Sequence, residues 1–235
     1  MKPIILSSIL LSLALAITPA HAAKGGKGGG NGGGGGSEPP ATGNDPILFV
    51  HGWNSSGSVW NTMISRFEAD GYTANELFNW SYDHRQSNAT TAMLIEDKVN
   101  EIMALTGASK VDIITHSMGG LSSRYYLKFL NGTANVDAWV SLGGPNHGTD
   151  FANFCFDTSC YEMRIGSNFL DDLNAGDETP GSVRYGTWRS PCDTVINPDS
   201  SVTLKGADNT RTGCISHNGL PTDAGVYQEV RAYVQ

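Results

Sequence analysis

The chain has 235 residues, with 15 Lys+Arg against 23 Asp+Glu and a net charge of −8. An acidic chain without a basic run is a poor partner for nucleic acid or for an anionic membrane. Aliphatic and aromatic residues spread along most of its length argue against general disorder.

Residues 1–23 read as a secretory signal peptide. Lys2 supplies the charge, Ile4 to Ile17 an apolar run, and Ala20-His21-Ala22 the small residues at which such segments are cut. The run is too short for a confident membrane-spanning helix, so the mature protein is expected to lack an integral membrane segment and to be secreted, extracellular or periplasmic. Residues 24–44 form a Gly-rich flexible linker, in which Gly25 to Gly36 hold 10 of the 29 glycines. One folded domain, residues 45–235, remains. Setting aside Lys2, Lys24, Lys27 and Glu38 leaves 12 basic and 22 acidic residues, so the domain carries −10. Four cysteines behind a secretory signal imply two disulfides, with three possible connectivities.

From Pro46 onward, strand-like and helix-like segments alternate. Ile47-Leu48-Phe49-Val50 is a continuous apolar run, the mark of a strand buried on both faces. Trp60, Met63, Ile64 and Phe67 share one helical face, and Gly71 ends that helix. Leu77 to Trp80 is a second strand; Ile95, Val99, Ile102 and Met103 mark a second helix, closed by Gly107. Val111 to Thr115 is the third strand, followed by a helix from Leu121 to Leu130. Ala138 to Leu142 is the fourth strand, and Val183 to Trp188 and Asn209 to Cys214 are weaker ones. A last helix carries Val226, Val230, Tyr233 and Val234 on one face, with Thr222 or Asp223 as cap. Between Gly143 and Gly181 the rhythm breaks, with one helix expected near Asn168 to Asn174. The fold class is therefore α/β: about six parallel strands with helices on both faces, and a site at the carboxyl ends of the strands.

The sharpest chemical signal is Ile113-Ile114-Thr115-His116-Ser117-Met118-Gly119-Gly120. A serine at a strand-to-helix junction, followed by glycines, fits a nucleophile elbow, although Thr115 replaces the first glycine of the G-x-S-x-G pattern. A serine needs a base, and the base an orienting acid. Only His147 and His217 follow Ser117, and His147 comes too early for an acid to lie between. His217, in a loop before the last helix, is the expected base. Asp193, just past the fifth strand, is the expected acid, with Asp150, Asp171, Asp172 and Asp199 as surface or capping competitors. The oxyanion hole is expected from the backbone N–H groups of Met118 and Trp53, whose side chains are then free to line an apolar acyl pocket. His51 and His116 read as buried structural histidines. Asn79-Trp80-Ser81-Tyr82-Asp83-His84 is a candidate pocket wall.

Phe49-Val50-His51-Gly52-Trp53 and the elbow resemble secreted bacterial lipases and esterases of the α/β-hydrolase superfamily, most nearly the small Bacillus-type and class 2 lipases. Those also replace the first elbow glycine, by alanine. The resemblance runs from Pro46 to the last helix. It implies a minimal α/β-hydrolase fold and ester hydrolysis through an acyl-enzyme on Ser117, with no cofactor. The implied partner is an ester or lipid substrate, met in solution or at an interface.

Nearest-neighbour pairing of the cysteines joins Cys155 to Cys160 and Cys192 to Cys214, the second bond tying the Asp193 loop to the His217 loop. The cysteine spacing does not fit a metal site. A related acyl-transfer or polyester-depolymerising hydrolase would share the same groups. A catalytically inactive binding module is disfavoured, because every group the chemistry needs is present and in order.

Overall fold

Four consecutive apolar residues cannot alternate between core and water, so a strand made of them must be covered on both faces. The computed structural model, which describes residues 43–235, forms that strand (β1) over Ile47–Val50 with all four side chains buried. The expected signal peptide, and the expected linker up to residue 42, lie outside the described residues. Strands β2 (Leu77–Asn79), β3 (Val111–His116), β4 (Val136–Leu142), β5 (Arg184–Arg189) and β6 (Asp208–Arg211) complete one sheet. Its order is β2-β1-β3-β4-β5-β6, and every neighbouring pair is parallel.

Alternation along each strand sorts the core into two layers. Ile47 and Phe49, with Ile114 and Val140, pack under α1 (Asn61–Ala69) and α6 (Ala224–Tyr233). Leu48, Val50, Ile113 and Trp139 face the other way, against α2 (Asn88–Thr106) and α3 (Gly119–Phe129). Helix starts follow the local chemistry. The Ser87 hydroxyl caps α2 by accepting from the Ala89 N–H, and Asp223, rather than Thr222, caps α6 through the N–H groups of Gly225 and Val226.

The expected six-strand parallel sheet with helices on both faces is what forms. Apart from shifts of one or two residues at strand ends, three details differ. The sixth strand ends at Arg211, because beyond it Ser190 and the Cys192–Cys214 disulfide take over the chain. The third helix begins at Gly119, immediately after the serine. The segment between β4 and β5 holds two helices, α4 (Thr158–Met163) and the expected α5 (Asn168–Asn174). Helix α4 is too short to show a hydrophobic period, and Cys155–Cys160 closes the turn that leads into it. A third apolar cluster sits beneath this segment, formed by Met118, Leu121, Ala152, Met163, Leu170 and Leu173 among others.

Candidate active site

A chain that leaves a parallel strand and enters a helix at once must reverse within two residues, which forces an unusual backbone. Ser117, between β3 and α3, has φ +55°, a left-handed conformation that costs a serine about 1–3 kcal/mol and persists only where its surroundings impose it. They do. Its N–H donates to the Leu142 carbonyl at 3.0 Å, and its carbonyl accepts from Gly120 N–H at 3.0 Å. A Cβ at Gly119 would lie 2.6 Å from the carbonyl oxygens of Val50 and His51, and one at Gly52 would lie 2.7 Å from the Ser117 Cβ. A side chain at either position would force its surroundings to shift. Thr115, which departs from the elbow pattern, donates its hydroxyl to the Val140 carbonyl at 2.8 Å, so the extra group is buried and satisfied.

Asp193 and His217 come together from loops after β5 and β6. His217 Nδ1–H donates to Asp193 Oδ2 at 2.7 Å, while Asp193 Oδ1 accepts from Val195 N–H at 2.8 Å and Ile196 N–H at 2.9 Å. Burial alone would raise the Asp193 carboxyl. The hydrogen bond and charge of His217, with the N–H groups of Ile196 and Val195, outweigh burial and hold it below the ordinary carboxylate value. Both side chains are buried. The two loops are joined by the Cys192–Cys214 disulfide and, independently, by Ser190. That hydroxyl donates to the Ile215 carbonyl at 2.6 Å and accepts from the N–H groups of Cys192 and Ile215. The second disulfide joins Cys155 to Cys160.

His116 Nε2–H donates to the His217 carbonyl at 3.0 Å, and the two rings lie 4.6 Å apart. Burial, with the neighbouring His217, pushes the His116 ring down to about 3. His116 therefore stays neutral and holds the backbone of the candidate base. His51 stacks on Tyr82 at 4.1 Å, and burial lowers its ring as well. The other candidates stand elsewhere. His147 pairs with Glu178 at 2.9 Å and Asp199 with Arg189 at 2.7 Å, Asp150 opens a short 3-10 turn over Asp150–Phe154, and Asp171 lies in the first turn of α5.

Ser117, His116 and His217 line a cleft of about 330 Å³ whose apolar walls are Trp53, Val59, Phe151, Met163, Val195 and Ile196. The Trp53 side chain lines it as expected. The Met118 side chain does not: it is fully buried in the cluster under the insertion. Trp80 and Tyr82 are not in the cleft wall either, and pack with the α2–α3 layer. Among the described residues, neither the Trp53 nor the Met118 backbone N–H donates to another group. One carboxylate cluster lies at the opposite, amino end of the strands, where Asp45, Asp112 and Asp137 bring oxygens within 4.8 Å of one another. Lys110 and Arg184 pair with Asp137 there.

Sequence reasoning missed Ser190 and the Trp53 Nε1–Asp157 bond, neither of which carried a signal. His116 is the buried structural histidine expected, and only its bond to the His217 carbonyl went unforeseen.

Solved structures with this architecture include a lipase of Bacillus licheniformis, BlEst2 in its mature form, with a TM-score of 0.73 at 20% identity over 84% of this chain and 95% of that one. A triacylglycerol lipase of Burkholderia plantarii is 29% identical over 153 residues, covering 61% of this chain and 41% of its own. One of Pseudarthrobacter phenanthrenivorans is 31% identical over 121 residues, covering 48% and 36%. The chain thus spans well under half the length of either curated relative. Residues 44–213 match the family model described as Lipase (class 2), from the residues before β1 to just past β6. The chain belongs to the class 2 lipase family, within the α/β-hydrolase fold.

Proposed function

We propose that this protein is a secreted serine ester hydrolase, a triacylglycerol lipase or carboxylesterase, acting through an acyl-enzyme on Ser117 with Asp193 and His217. The observation that carries the reading is the left-handed Ser117 opening onto the same cleft as a histidine whose other nitrogen is occupied by an ionised aspartate. His217 Nε2 takes the proton as Ser117 Oγ attacks the acyl carbonyl, and Asp193 stabilises the imidazolium. The carbonyl oxygen becomes an oxyanion, received by the N–H groups of Met118 and Trp53, each worth roughly 3 kcal/mol to the transition state. Collapse expels the alcohol, which leaves with the proton from His217. Water then attacks the acyl-enzyme with His217 as base, releasing the carboxylic acid and restoring Ser117.

The names of the two triacylglycerol lipases support an ester of a fatty acid as substrate. Contact with an aggregated substrate is supported by the cleft's surroundings, where Phe154 is 81% and Phe156 74% exposed on the segment that also supplies Phe151 and Met163 to the wall. Export is supported by the signal-like residues 1–23 and by two disulfides.

Ser117→Ala is expected to lower hydrolysis of p-nitrophenyl butyrate by a factor on the order of 10⁴ or more while leaving the thermal melt intact. A fluorophosphonate probe should label Ser117 alone. Turnover that survives in the variant, or label on another residue, overturns the assignment.

A further inference from the structure

β1 ends at Val50, whose partner is Thr115, and strand pairing does not extend to the residues beyond it. The loop carrying Trp53 is therefore held by other means. At its near end the Tyr82 hydroxyl donates to the His51 carbonyl. At its far end the anchor is the Trp53 indole, whose Nε1–H donates to Asp157 Oδ2 at 2.9 Å across 104 residues of chain.

Asp157 sits at the N-cap of α4, where a carboxylate ordinarily accepts from the first-turn N–H groups. Here it makes no such bond. Its carboxylate is turned instead toward the indole. The segment behind it is firmly attached. Cys155–Cys160 brackets Asp157, Ser159 Oγ donates to the His84 carbonyl at 2.7 Å, and Glu162 accepts from Ser87 Oγ and Asn88 N–H, both at 2.6 Å. An acceptor mounted this rigidly can fix what it binds.

We infer that Asp157 is a positioning residue for the reaction: by holding the Trp53 indole it sets the backbone of the loop after β1, and with it the N–H that receives the oxyanion. This rests on the function proposed above. It makes the segment between β4 and β5 a buttress of the reacting centre as well as a wall of the cleft.

The test compares Asp157→Ala, Asp157→Asn, Trp53→Phe and the Asp157→Ala/Trp53→Phe pair on p-nitrophenyl butyrate, with thermal melts of each. Displacing a donor without deleting it is expected to lower kcat about tenfold in Asp157→Ala, with KM moving less than about twofold. Asp157→Asn keeps an acceptor oxygen and should restore kcat to within about threefold of the parent. Trp53→Phe removes the bond from the other side and should lose kcat similarly, after which Asp157→Ala should cost nothing more. An unchanged kcat in Asp157→Ala, a loss confined to KM, or an equal loss with and without the indole overturns the inference. Should Asp157→Ala not fold, Trp53→Phe decides, and parental kcat there overturns it. Ser117→Ala run alongside separates the two failures. Turnover surviving in that variant sinks the functional reading, whereas Ser117-dependent turnover indifferent to Asp157 sinks only this inference.

Discussion

The two sides of the cleft are held by different means. Ser117 is set by backbone alone: a left-handed φ, an N–H bonded to the end of β4, and glycines at 52 and 119 that let three chain segments touch. The Asp193–His217 pair is set largely by side chains: a disulfide, the Ser190 hydroxyl and the His116 ring beneath His217, with two backbone N–H groups received by Asp193. The first side yields only to a change of shape. The second can be taken apart by reduction, titration or truncation, one support at a time.

The largest expected effect lies on the backbone side. Gly52→Ala puts a methyl carbon 2.7 Å from the Ser117 Cβ, so either the loop or the serine must move. We expect kcat/KM to fall about 100-fold with the far-UV dichroism unchanged. Parental kcat/KM would show that this side has slack and would break the contrast. Next comes the staple. Cys192→Ser/Cys214→Ser opens a loop of 22 residues' separation, and urea unfolding should show a loss of about 3 kcal/mol. Activity should fall by less than in Gly52→Ala, since Ser190 still joins the loops. A larger activity loss than stability loss would mean that the disulfide alone sets the geometry.

The smallest effect is in acid. The Asp193 carboxyl is held below its ordinary value, so its contribution to stability is complete above about pH 4, the ordinary Asp value, and fades as pH falls through the lower folded value. The stability gap between the parent and Asp193→Asn should therefore narrow as pH drops below about 4. A gap that stays constant down to pH 2 would mean that the carboxylate's charge contributes nothing to the fold.

The backbone side was the more legible in the sequence. A run such as Ile47-Leu48-Phe49-Val50, or a serine set between a buried strand and paired glycines, carries its constraint locally, and the structure forms both where expected. The meeting of Asp193 with His217 could be anticipated from chain order and from their places after weak strands. The supports could not. Ser190 and Asp157 act through partners 25 and 104 residues away, and nothing in their immediate neighbours marks them; His116 could be read as a buried structural histidine, but not its partner 101 residues away. Met118 shows a different limit. The residue after the serine was expected to offer its side chain to the cleft, but α3 begins at the next residue, and the side chain went into the core under the insertion. Helix α4 was missed because six residues hold too few turns to reveal a period.

The segment between β4 and β5 leaves and rejoins neighbouring strands of the sheet. A stretch attached in this way can be exchanged for one of another length and lining without changing the order of any strand. It supplies Phe151 and Met163 to the cleft while Ser117, Asp193 and His217 stand on other parts of the chain. Part of the cleft wall is therefore carried on a stretch of sequence that holds none of these three residues, and a redesign of that wall would begin with residues 149–165 while keeping Asp157 in place.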